Sequence, residues 1–302
     1  MNYDVIIVGG GAAGLTAALY AARAGASTLL LEGTLIGGQT STTDVLENYP
    51  GFLKVGGPEL MMEMEKQAIA AGAEVRYESA RAVDLNAKTV STRKVTYQAR
   101  AMILATGARR KKLGVPGEDA LTGRGVSYCA TCDGTLYKNK RVAIVGGGRT
   151  AVEDALYLAN ICEHVTIIHR RDSLRAEEAM IRRVLKHDKM TVLWNHVVSS
   201  MEEAEGGLKL NLNSTVGAPA SSLECAGCFL AVGTEPVSTL YKDQLTLDEA
   251  GYVPAGEDTL TQVPGVFVAG DLRAKQLRQV VTAASDGAVA ASEAAKYLNT
   301  LG

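Results

Sequence analysis

Two glycine-rich turns constrain the fold of this chain more than any other feature of its sequence. The first, Gly9–Gly14 (GGGAAG), follows the apolar strand Asp4–Val8, and the second, Gly146–Ala151 (GGGRTA), follows the apolar strand Val142–Val145. A helix is predicted after each turn. Glycine lets the backbone turn tightly and approach a pyrophosphate closely, and the N-terminus of the following helix attracts the negative charge. The sequence therefore predicts an α/β fold with two Rossmann-like dinucleotide-binding domains.

The residues that end the next strand differ between the two copies of this pattern. In the first copy, the strand Thr28–Leu31 ends in Glu32, whose carboxylate can accept hydrogen bonds from both hydroxyl groups of a ribose. In the second copy, the strand Val165–Ile168 is followed, after one histidine, by Arg170 and Arg171. Arginine can bind a 2′-phosphate in a bidentate manner, whereas an acid would repel it. We therefore expect a coenzyme with free ribose hydroxyls in the first domain and NADPH in the second.

Length and composition indicate a soluble protein of two domains. The chain has 302 residues, of which 47% are hydrophobic and 21% charged, with 32 glycines. A net charge of -2 without a long basic run argues against a nucleic-acid partner. The apolar run Val5–Ala22 follows an acid and is interrupted by glycines, so we interpret it as a strand and a helix rather than a signal peptide or membrane span. The odd number of cysteines, five, favours a reducing compartment, and we expect a cytoplasmic protein.

Cys129 and Cys132 are separated by two residues and are followed directly by Asp133. Two thiols at this spacing can close into a disulfide and reopen, so the pair can hold two electrons, and the carboxyl group can supply or accept a proton. A thiolate would be stabilised here if the pair opens a helix. The alternative is a zinc site shared with Cys225 and Cys228, but zinc ribbons space their cysteine pairs by roughly 15–20 residues. We expect no metal site and interpret Cys225 and Cys228 as buried apolar packing.

The remaining segments indicate how the chain is divided into domains. The strand and turn Gly265–Asp271, with the long helix after it, resemble the closing segment of a flavin domain, so the first domain is expected to be discontinuous. The basic run Arg109–Lys112 is interpreted as a solvated linker, and residues 190–230 as strands of a small sheet. The predicted domains are residues 1–112 with 239–302, and residues 113–238.

The motifs follow one another in an order that is recognisable along nearly the whole chain. GGGAAG is followed by GGQ, ATG, CATCDG, GGGRTA, HRRDSLRA, AGD and RQVVTAA. This order resembles the low-molecular-weight thioredoxin reductases, which are NADPH-dependent flavoproteins. The resemblance implies a homodimer in which residues 1–112 and 239–302 form an FAD domain and residues 113–238 form an NADPH domain that carries CATCD. It also implies that the NADPH domain rotates, with segments 109–116 and 233–238 as expected hinges.

The resemblance also assigns roles to individual residues. Electrons are expected to pass from NADPH through FAD and the Cys129–Cys132 disulfide to oxidised thioredoxin. Cys132 is expected to lie nearer the flavin, Cys129 to attack the disulfide of the partner, and Asp133 to act as general acid and base. The residues expected to bind FAD are Gly9, Gly11, Ala12, Ala13, Gly14, Glu32, Gly38, Gln39, Asn48, Thr106, Gly107, Gly270, Asp271, Arg278, Gln279 and Val280. The residues expected to bind NADPH are Gly146, Gly148, Arg149, Thr150, His169, Arg170, Arg171 and Arg175.

The sequence departs from the usual family pattern at Arg149, at Leu174 and at residues 285–287 (SDG). Alternative functions are a related FAD-dependent dithiol oxidase, a reductase of another thioredoxin-like or peroxide-reducing partner, and a non-enzymatic NADPH-binding protein. A relative that receives its electrons from ferredoxin is disfavoured, because Gly146, Gly148 and the arginines of a nicotinamide-coenzyme site are intact.

Overall fold

The computed structural model describes residues 2–33, 36–43 and 45–302. Its strands are β1 (Asn2–Val8), β2 (Thr28–Leu31), β3 (Glu74–Arg76), β4 (Ala82–Asp84), β5 (Thr89–Ser91), β6 (Thr96–Leu104), β7 (Ala108–Arg110), β8 (Val126–Ser127), β9 (Arg141–Val145), β10 (His164–His169), β11 (Met190–Trp194), β12 (His196–Ala204), β13 (Gly207–Ser214), β14 (Ser221–Cys225), β15 (Gly227–Leu230), β16 (Thr234–Pro236) and β17 (Val266–Val268). Its α-helices are α1 (Ala12–Arg23), α2 (Gly57–Ala70), α3 (Glu118–Leu121), α4 (Ala130–Asp133), α5 (Arg149–Ala159), α6 (Glu178–Leu185) and α7 (Val280–Thr300). Short 3-10 helices span Gly38–Thr42, Gly134–Tyr137 and Gly270–Leu272. Within the described ranges, no helix is both long and apolar enough to cross a membrane.

The chain forms two compact units. The first contains the residues up to Arg109 together with Glu235–Gly302, and the second contains Arg110–Thr234. These boundaries lie a few residues before positions 112 and 238, where the sequence places them. The connecting segments β7 and β16 pair with each other in a two-stranded sheet. The assignment of one coenzyme to each unit stays a prediction.

The first unit is built on a seven-stranded sheet in the order β3-β2-β1-β6-β5-β4, with β17 also paired to β6. The pairs of β1 with β2, of β1 with β6 and of β17 with β6 are parallel, whereas β4, β5 and β6 are joined in antiparallel fashion. The sequence predicts short strands between Arg81 and Gln98 and a separate apolar strand at Ala101–Ala105. In the structure Thr96–Leu104 is one continuous strand, β6, in which Thr96–Gln98 pair with β5 and Met102–Leu104 pair with β17. The closing segment of the chain thus joins the same sheet as its opening segment.

Both faces of this sheet are covered, which explains why β1 has an uninterrupted apolar run. Ile7 belongs to the core beneath α1 and α7, whereas Ile6 and Val8 belong to the core on the opposite face. The helices α1 and α7 lie close together at Gly287, where a Cβ atom would stand 2.1 Å from the carbonyl oxygen of Ala13. Glycine at this position therefore allows the close approach of the two helices that begin near the candidate site.

The second unit contains a five-stranded parallel sheet in the order β11-β10-β9-β15-β8 and a separate antiparallel sheet of β12, β13 and β14. The interpretation of residues 190–230 as one small sheet is therefore wrong at both ends, because β11 and β15 belong to the parallel sheet. The four residues of β15 are all buried. Its apolar run predicts a strand but does not show which sheet buries it, since that depends on tertiary packing.

Candidate active site

The first glycine turn needs glycine at two positions for steric reasons. Gly9 has a φ of 109°, and a Cβ atom there would lie 2.4 Å from the carbonyl oxygen of Ala105. A Cβ atom at Gly14 would lie 1.8 Å from the carbonyl oxygen of Gly9. Gly11 is the N-cap of α1, and the buried residues Ala12–Ala13 begin that helix. The backbone therefore leaves open the approach to a helix N-terminus, as pyrophosphate binding requires.

Glu32 directly follows β2, and its carboxylate is fixed beside this turn. Oε2 accepts a hydrogen bond from the backbone N–H of Gly10 at 2.7 Å, and Oε1 accepts one from the N–H of Gly33 at 2.7 Å. The backbone N–H of Glu32 donates to the carbonyl oxygen of Arg76 at 3.0 Å. These bonds hold the acid at the carboxyl end of a parallel strand, where dinucleotide-binding units meet a ribose. Its contact with a ribose stays a prediction.

Several other residues predicted to bind FAD are joined by long-range contacts in the first unit. Asn48 donates from Nδ2 to Oε1 of Gln279 at 3.0 Å. The side-chain amide of Gln39 donates to the carbonyl oxygen of Ala108. Thr106 donates from Oγ1 to a backbone carbonyl at 2.7 Å. The remaining positions lie in turns or at a helix start: Gly107 after β6 with a φ of 68°, Gly38 in a 3-10 helix with a φ of 56°, and Val280 as the first residue of α7.

A buried charge cluster holds the turn after β17 that contains Gly270 and Asp271. The carboxylate of Asp286 on α7 accepts hydrogen bonds from Gly270 N at 3.0 Å, Arg273 Nη2 at 2.9 Å and Lys275 Nζ at 3.0 Å. Lys275 Nζ also lies 3.8 Å from Oδ1 of Asp271. The side chains of Lys275 and Asp286 are only 7% and 9% exposed. The departure of residues 285–287 from the family pattern marks the position of Asp286 in the sequence. It does not show that Arg273 and Lys275 are its partners.

Arg278 is oriented by an aromatic ring. Its guanidinium carbon lies 4.2 Å from the centroid of the buried Tyr252 ring, which is a cation–π contact. Its Nε atom is buried and has no hydrogen-bond partner among the described residues. A buried donor of this kind calls for a partner outside the polypeptide, and a bound ligand is one.

The second glycine turn repeats the geometry of the first in the second unit. Gly146 has a φ of 155°, and a Cβ atom there would lie 2.5 Å from a backbone carbonyl oxygen just after β15. Gly148 is the N-cap of α5, and Thr150 lies in the first turn of that helix. The backbone N–H of Arg175 donates to the carbonyl oxygen of Gly147 at 2.7 Å, which brings Arg175 next to the turn.

The basic residues after β10 fall into two groups. Arg170, Arg171 and Arg175 are exposed, and their guanidinium groups make no hydrogen bond or ion pair with other described residues. His169, by contrast, is buried at the end of β10, where its Nε2 lies 3.0 Å from the carbonyl oxygen of Ser173 and burial lowers the pKa of its ring. The three arginines thus remain available for an anionic ligand, whereas the imidazole is part of the strand end.

Arg149, which the sequence also predicts to bind NADPH, forms ion pairs within the protein. Its Nε donates to Glu153 at 2.8 Å and its Nη1 donates to Glu177 at 3.0 Å. Both pairs are exposed, so each contributes little to stability. For Arg149 to contact a coenzyme, its ion pairs with Glu153 and Glu177 would have to break.

The redox candidates Cys129 and Cys132 form a disulfide with their Cα atoms 5.3 Å apart. Cys129 is the N-cap of α4, and its Sγ accepts a hydrogen bond from the backbone N–H of Cys132 at 3.2 Å. The hydroxyl oxygen of Thr131 lies 3.5 Å from the same sulfur. Asp133 ends α4, and its carboxylate accepts a hydrogen bond from the Ser127 hydroxyl at 2.5 Å. The donors at Cys129 favour negative charge on that sulfur when the disulfide opens.

The three other cysteines are buried free thiols: Cys162, Cys225 and Cys228. Burial raises the pKa of Cys225 to about 12 and the pKa of Cys228 well above its usual value. Such thiols are protonated at neutral pH and pack as small apolar side chains. In the part of the chain that the structure describes, no three His, Cys, Asp or Glu side chains form a group that could hold a metal ion.

Comparison with known proteins identifies the family. The family model described as pyridine nucleotide-disulphide oxidoreductase matches residues 3–287. The chain belongs to the pyridine nucleotide-disulphide oxidoreductases. It is 44% identical over 302 residues to the thioredoxin reductase of Listeria innocua, covering 99% of this chain and 95% of the relative. It is 44% identical to the thioredoxin reductase of Treponema pallidum, covering 99% of this chain and 98% of the relative.

Solved structures agree with this family assignment. The crystal structure of thioredoxin reductase from Streptococcus pyogenes MGAS5005 superimposes with a TM-score of 0.93 at 38% identity, covering 99% of each chain. As a pyridine nucleotide-disulphide oxidoreductase, the protein combines two glycine turns of the dinucleotide-binding kind with one disulfide. The sequence marks Asp286 only as part of the departure at residues 285–287 and does not mark Ser127 or Tyr252, because each acts through a contact with another side chain rather than through a motif.

Proposed function

We propose that this protein reduces the disulfide of thioredoxin with electrons from NADPH. The observation that carries the proposal is the Cys129–Cys132 disulfide, which begins a short helix and is followed by a carboxylate in the same unit as the second glycine turn. In the overall reaction, NADPH, a proton and oxidised thioredoxin give NADP⁺ and the thioredoxin dithiol. The thioredoxin reductases that share about 44% of their residues with this chain support the choice of acceptor.

The residues of the first unit fit FAD. A pyrophosphate has access to the N-terminus of α1 because the turn lacks Cβ atoms, and Glu32 stands at the strand end to receive a ribose. The buried Nε of Arg278, without a partner among the described residues, is a donor for the flavin. The side chains of Gln39, Asn48, Asp271 and Gln279 complete the polar set that would hold the rest of the coenzyme.

The residues of the second unit fit NADPH. Its pyrophosphate would meet the N-terminus of α5 at Gly148 and Thr150. The 2′-phosphate would meet Arg170, Arg171 and Arg175, whose guanidinium groups are exposed and make no ion pair with the described part of the chain. Charge-assisted bonds from arginine to a phosphate are stronger than neutral ones, which explains a preference for NADPH over NADH.

The two cysteines and Asp133 carry out the exchange with the protein substrate. When bound, NADPH and FAD supply the electron pair that opens the Cys129–Cys132 disulfide. Cys129 Sγ, with the N–H of Cys132 as donor, attacks the partner disulfide, so that one partner sulfur bonds to Cys129 and the other leaves and takes up a proton. Cys132 then attacks Cys129, which restores the disulfide and releases the second partner thiol. Asp133 supplies and removes the protons at these sulfur atoms.

A rotation of the second unit is part of this proposal. A sulfur that receives electrons from a flavin is shielded from a protein substrate, so the dithiol needs two positions in the cycle. The chain crosses between the units at Arg109–Arg110 and at Thr234–Glu235. These crossings lie within the predicted hinge segments 109–116 and 233–238, and Gly233 has a φ of 102°.

We also propose that the protein is a homodimer. Tyr20 on α1 and Met62 and Ile69 on α2 are 47%, 52% and 52% exposed, although these helices pack against each other. Met62 and Ile69 lie two helical turns apart on one face of α2, as expected for an apolar contact. Sedimentation equilibrium of the wild-type protein should give a dimer. Met62→Glu together with Ile69→Glu should give a monomer, and a monomeric wild type would contradict the proposal.

A cytoplasmic location is proposed from the thiols. Cys162, Cys225 and Cys228 are free thiols, whereas the redox pair Cys129 and Cys132 forms a disulfide. This is expected in a compartment that keeps structural thiols reduced. Fractionation of cells that produce the protein should recover it with cytoplasmic markers, and recovery outside the cytoplasm would contradict this location.

The function is tested by mixing the purified protein with NADPH and oxidised thioredoxin and following the oxidation of NADPH by absorbance. The wild type should oxidise NADPH only when thioredoxin is present. Cys129→Ser should keep NADPH-dependent bleaching of the flavin but lose thioredoxin reduction. Cys162→Ala is the matched control, because that cysteine is buried in the same unit and should be dispensable. Wild-type turnover in Cys129→Ser would contradict the assignment of the dithiol.

A further inference from the structure

Ser127 is a buried serine beside the redox disulfide that no motif in the sequence marks. It is the last residue of β8 and is 6% exposed. The backbone of β8 is held by parallel pairing with β15, in which Ser127 lies opposite Phe229. Phe229 itself packs against the ring of Tyr137 with centroids 5.4 Å apart. The position of the Ser127 side chain is therefore fixed by the parallel sheet and its core.

The hydroxyl group of Ser127 joins the backbone of Cys129 to the side chain of Asp133. Oγ donates to Oδ2 of Asp133 at 2.5 Å and accepts a hydrogen bond from the backbone N–H of Cys129 at 3.0 Å. The carbonyl oxygen of Cys129 lies 3.4 Å from the same Oγ and is a second acceptor within reach. The Ser127 hydroxyl can therefore donate either to the Asp133 carboxylate or to the backbone carbonyl oxygen of Cys129.

This geometry suits a carboxyl group that changes its protonation state. A serine hydroxyl has one hydrogen to donate and two lone pairs to accept with. When Asp133 is a carboxylate, the hydroxyl donates to it. When Asp133 is protonated, its O–H can donate to Oγ while the serine hydrogen turns to the Cys129 carbonyl. Neither state leaves a buried polar group without a partner, and such a group would otherwise be costly.

We propose that Ser127 is a positioning residue for Asp133, and that it holds the carboxyl group beside the dithiol in both protonation states. The inference rests on the proposed function, in which Asp133 moves the protons of the disulfide exchange. Ser127 does not touch the reacting sulfurs. It contacts the backbone of Cys129 as well as the carboxyl group of Asp133, and the proposal assigns its effect on the exchange to Asp133. Burial, and then the charge of Asp133, raise the pKa of Tyr137 on the neighbouring 3-10 helix, so its hydroxyl group stays neutral at pH 7.

The test compares Ser127→Ala with Ser127→Thr, which keeps the hydroxyl. Ser127→Ala should lower kcat for thioredoxin about tenfold, since positioned acid–base groups contribute on the order of 10²–10⁴ and only part of this is lost. The KM for NADPH and the rate of flavin reduction by NADPH should stay within about twofold, because the coenzyme sites are untouched. Ser127→Thr should recover most of kcat. Ser199→Ala is the matched control, as Ser199 is partly buried in the same unit and bonds only to a backbone carbonyl there.

A double-mutant cycle with Asp133→Asn decides whether Ser127 acts through Asp133. In the Asp133→Asn background, Ser127→Ala should change kcat less than about twofold, because the partner is already lost. A full tenfold loss in that background, or an unchanged kcat in the single mutant, would overturn the proposal. A loss of kcat in Ser127→Thr equal to that in Ser127→Ala would also overturn it.

A second measurement needs no thioredoxin and separates this inference from the proposed function. The FAD-loaded protein is reduced with dithiothreitol, and alkylation of Cys129 by iodoacetamide is followed by peptide mass spectrometry. Ser127→Ala should slow this alkylation several-fold relative to the wild type and to Ser199→Ala, because Asp133 is less well placed to take the thiol proton. Equal alkylation rates would refute the role of Ser127. A wild type that alkylates readily but never reduces thioredoxin would refute the proposed function alone.

Discussion

Replacing Asp286 by Asn removes the negative charge from a buried cluster that contains two cations. The side chain of Asp286 is 9% exposed and lies 2.9 Å from Arg273 and 3.0 Å from Lys275, whose side chains are 14% and 7% exposed. Asparagine has nearly the same shape, but among the described residues it leaves Asp271, 3.8 Å from Lys275, as the one acid paired with either cation. Breaking a buried ion pair by removing one partner costs about 3–5 kcal/mol. We expect a loss near the lower limit, about 3 kcal/mol, because the amide oxygen still accepts a hydrogen bond.

Urea unfolding of the FAD-loaded protein measures this loss unit by unit. Release of flavin, followed by its fluorescence, reports on the first unit, whereas the only tryptophan, Trp194, lies in β11 of the second unit. With a slope of about 1–3 kcal/mol per molar urea, the flavin transition of Asp286→Asn should move down by about 1 M or more. The Trp194 transition should move less.

Two further variants test the electrostatic reasoning. Glu293→Gln changes an acid on the same helix whose partner, Lys296, is 72% exposed, so it should lower the stability reported by the flavin transition by less than about 1 kcal/mol. Lys275→Met added to Asp286→Asn removes one of the unpaired cations and should recover part of the loss. A flavin transition of Asp286→Asn that coincides with the wild type would refute the reasoning, as would a further loss in the double variant.

Three other outcomes are expected from the second unit. Arg170→Ala with Arg171→Ala should weaken NADPH binding at least tenfold and NADH binding hardly at all, since each charge-assisted contact contributes about 1.5–3 kcal/mol. If titrations show equal losses of affinity for the two coenzymes, the arginines have a structural role instead. Cys225→Ala with Cys228→Ala should lower the urea midpoint modestly and leave turnover of the folded enzyme intact; loss of turnover in a folded, FAD-loaded variant would contradict this. Burial, and then the charge of Glu153, raise the pKa of Asp154 to about 6, so the folded state binds more protons than the unfolded state and stability falls as pH rises from about 4 to 6. Asp154→Asn should therefore raise the urea midpoint at pH 7 more than at pH 4, and an equal change at both pH values would contradict the shift.

The sequence predicts those parts of the molecule that depend on local backbone chemistry. The strand–turn–helix units at Gly9–Gly14 and Gly146–Ala151 have this property, because the positive φ of Gly9 and the close approach at Gly14 leave glycine as the residue that fits. Glu32 could be placed for the same reason, since it follows β2 without a break. The spacing of Cys129 and Cys132 allows a disulfide, but Cys225 and Cys228 have the same spacing and remain free thiols.

Features that depend on contacts between distant segments could not be predicted. β15 enters the parallel sheet because it fits between β8 and β9, and its four apolar residues would suit the neighbouring antiparallel sheet as well. The partners of Asp286 lie on the turn after β17, which the sequence separates from α7 by a loop. The place of Arg149 in the glycine motif predicts a coenzyme contact, but it does not show that Glu153 and Glu177 pair with its guanidinium group. The coenzyme contact of Arg149 stays a prediction.

The chemistry of the five cysteines is divided by burial rather than by sequence pattern, since both cysteine pairs have the same spacing. A thiol whose pKa is about 12, as burial makes that of Cys225, is ionised in only about one molecule in 10⁵ at pH 7, and the thiolate is the form that reacts. Cys228 and Cys162 are buried as well, with raised pKa values. Cys129, in contrast, is an N-cap whose sulfur already accepts an N–H hydrogen bond. Electrons delivered to this unit therefore reach a disulfide that can exchange with a partner, and the other thiols in the same fold do not compete for it.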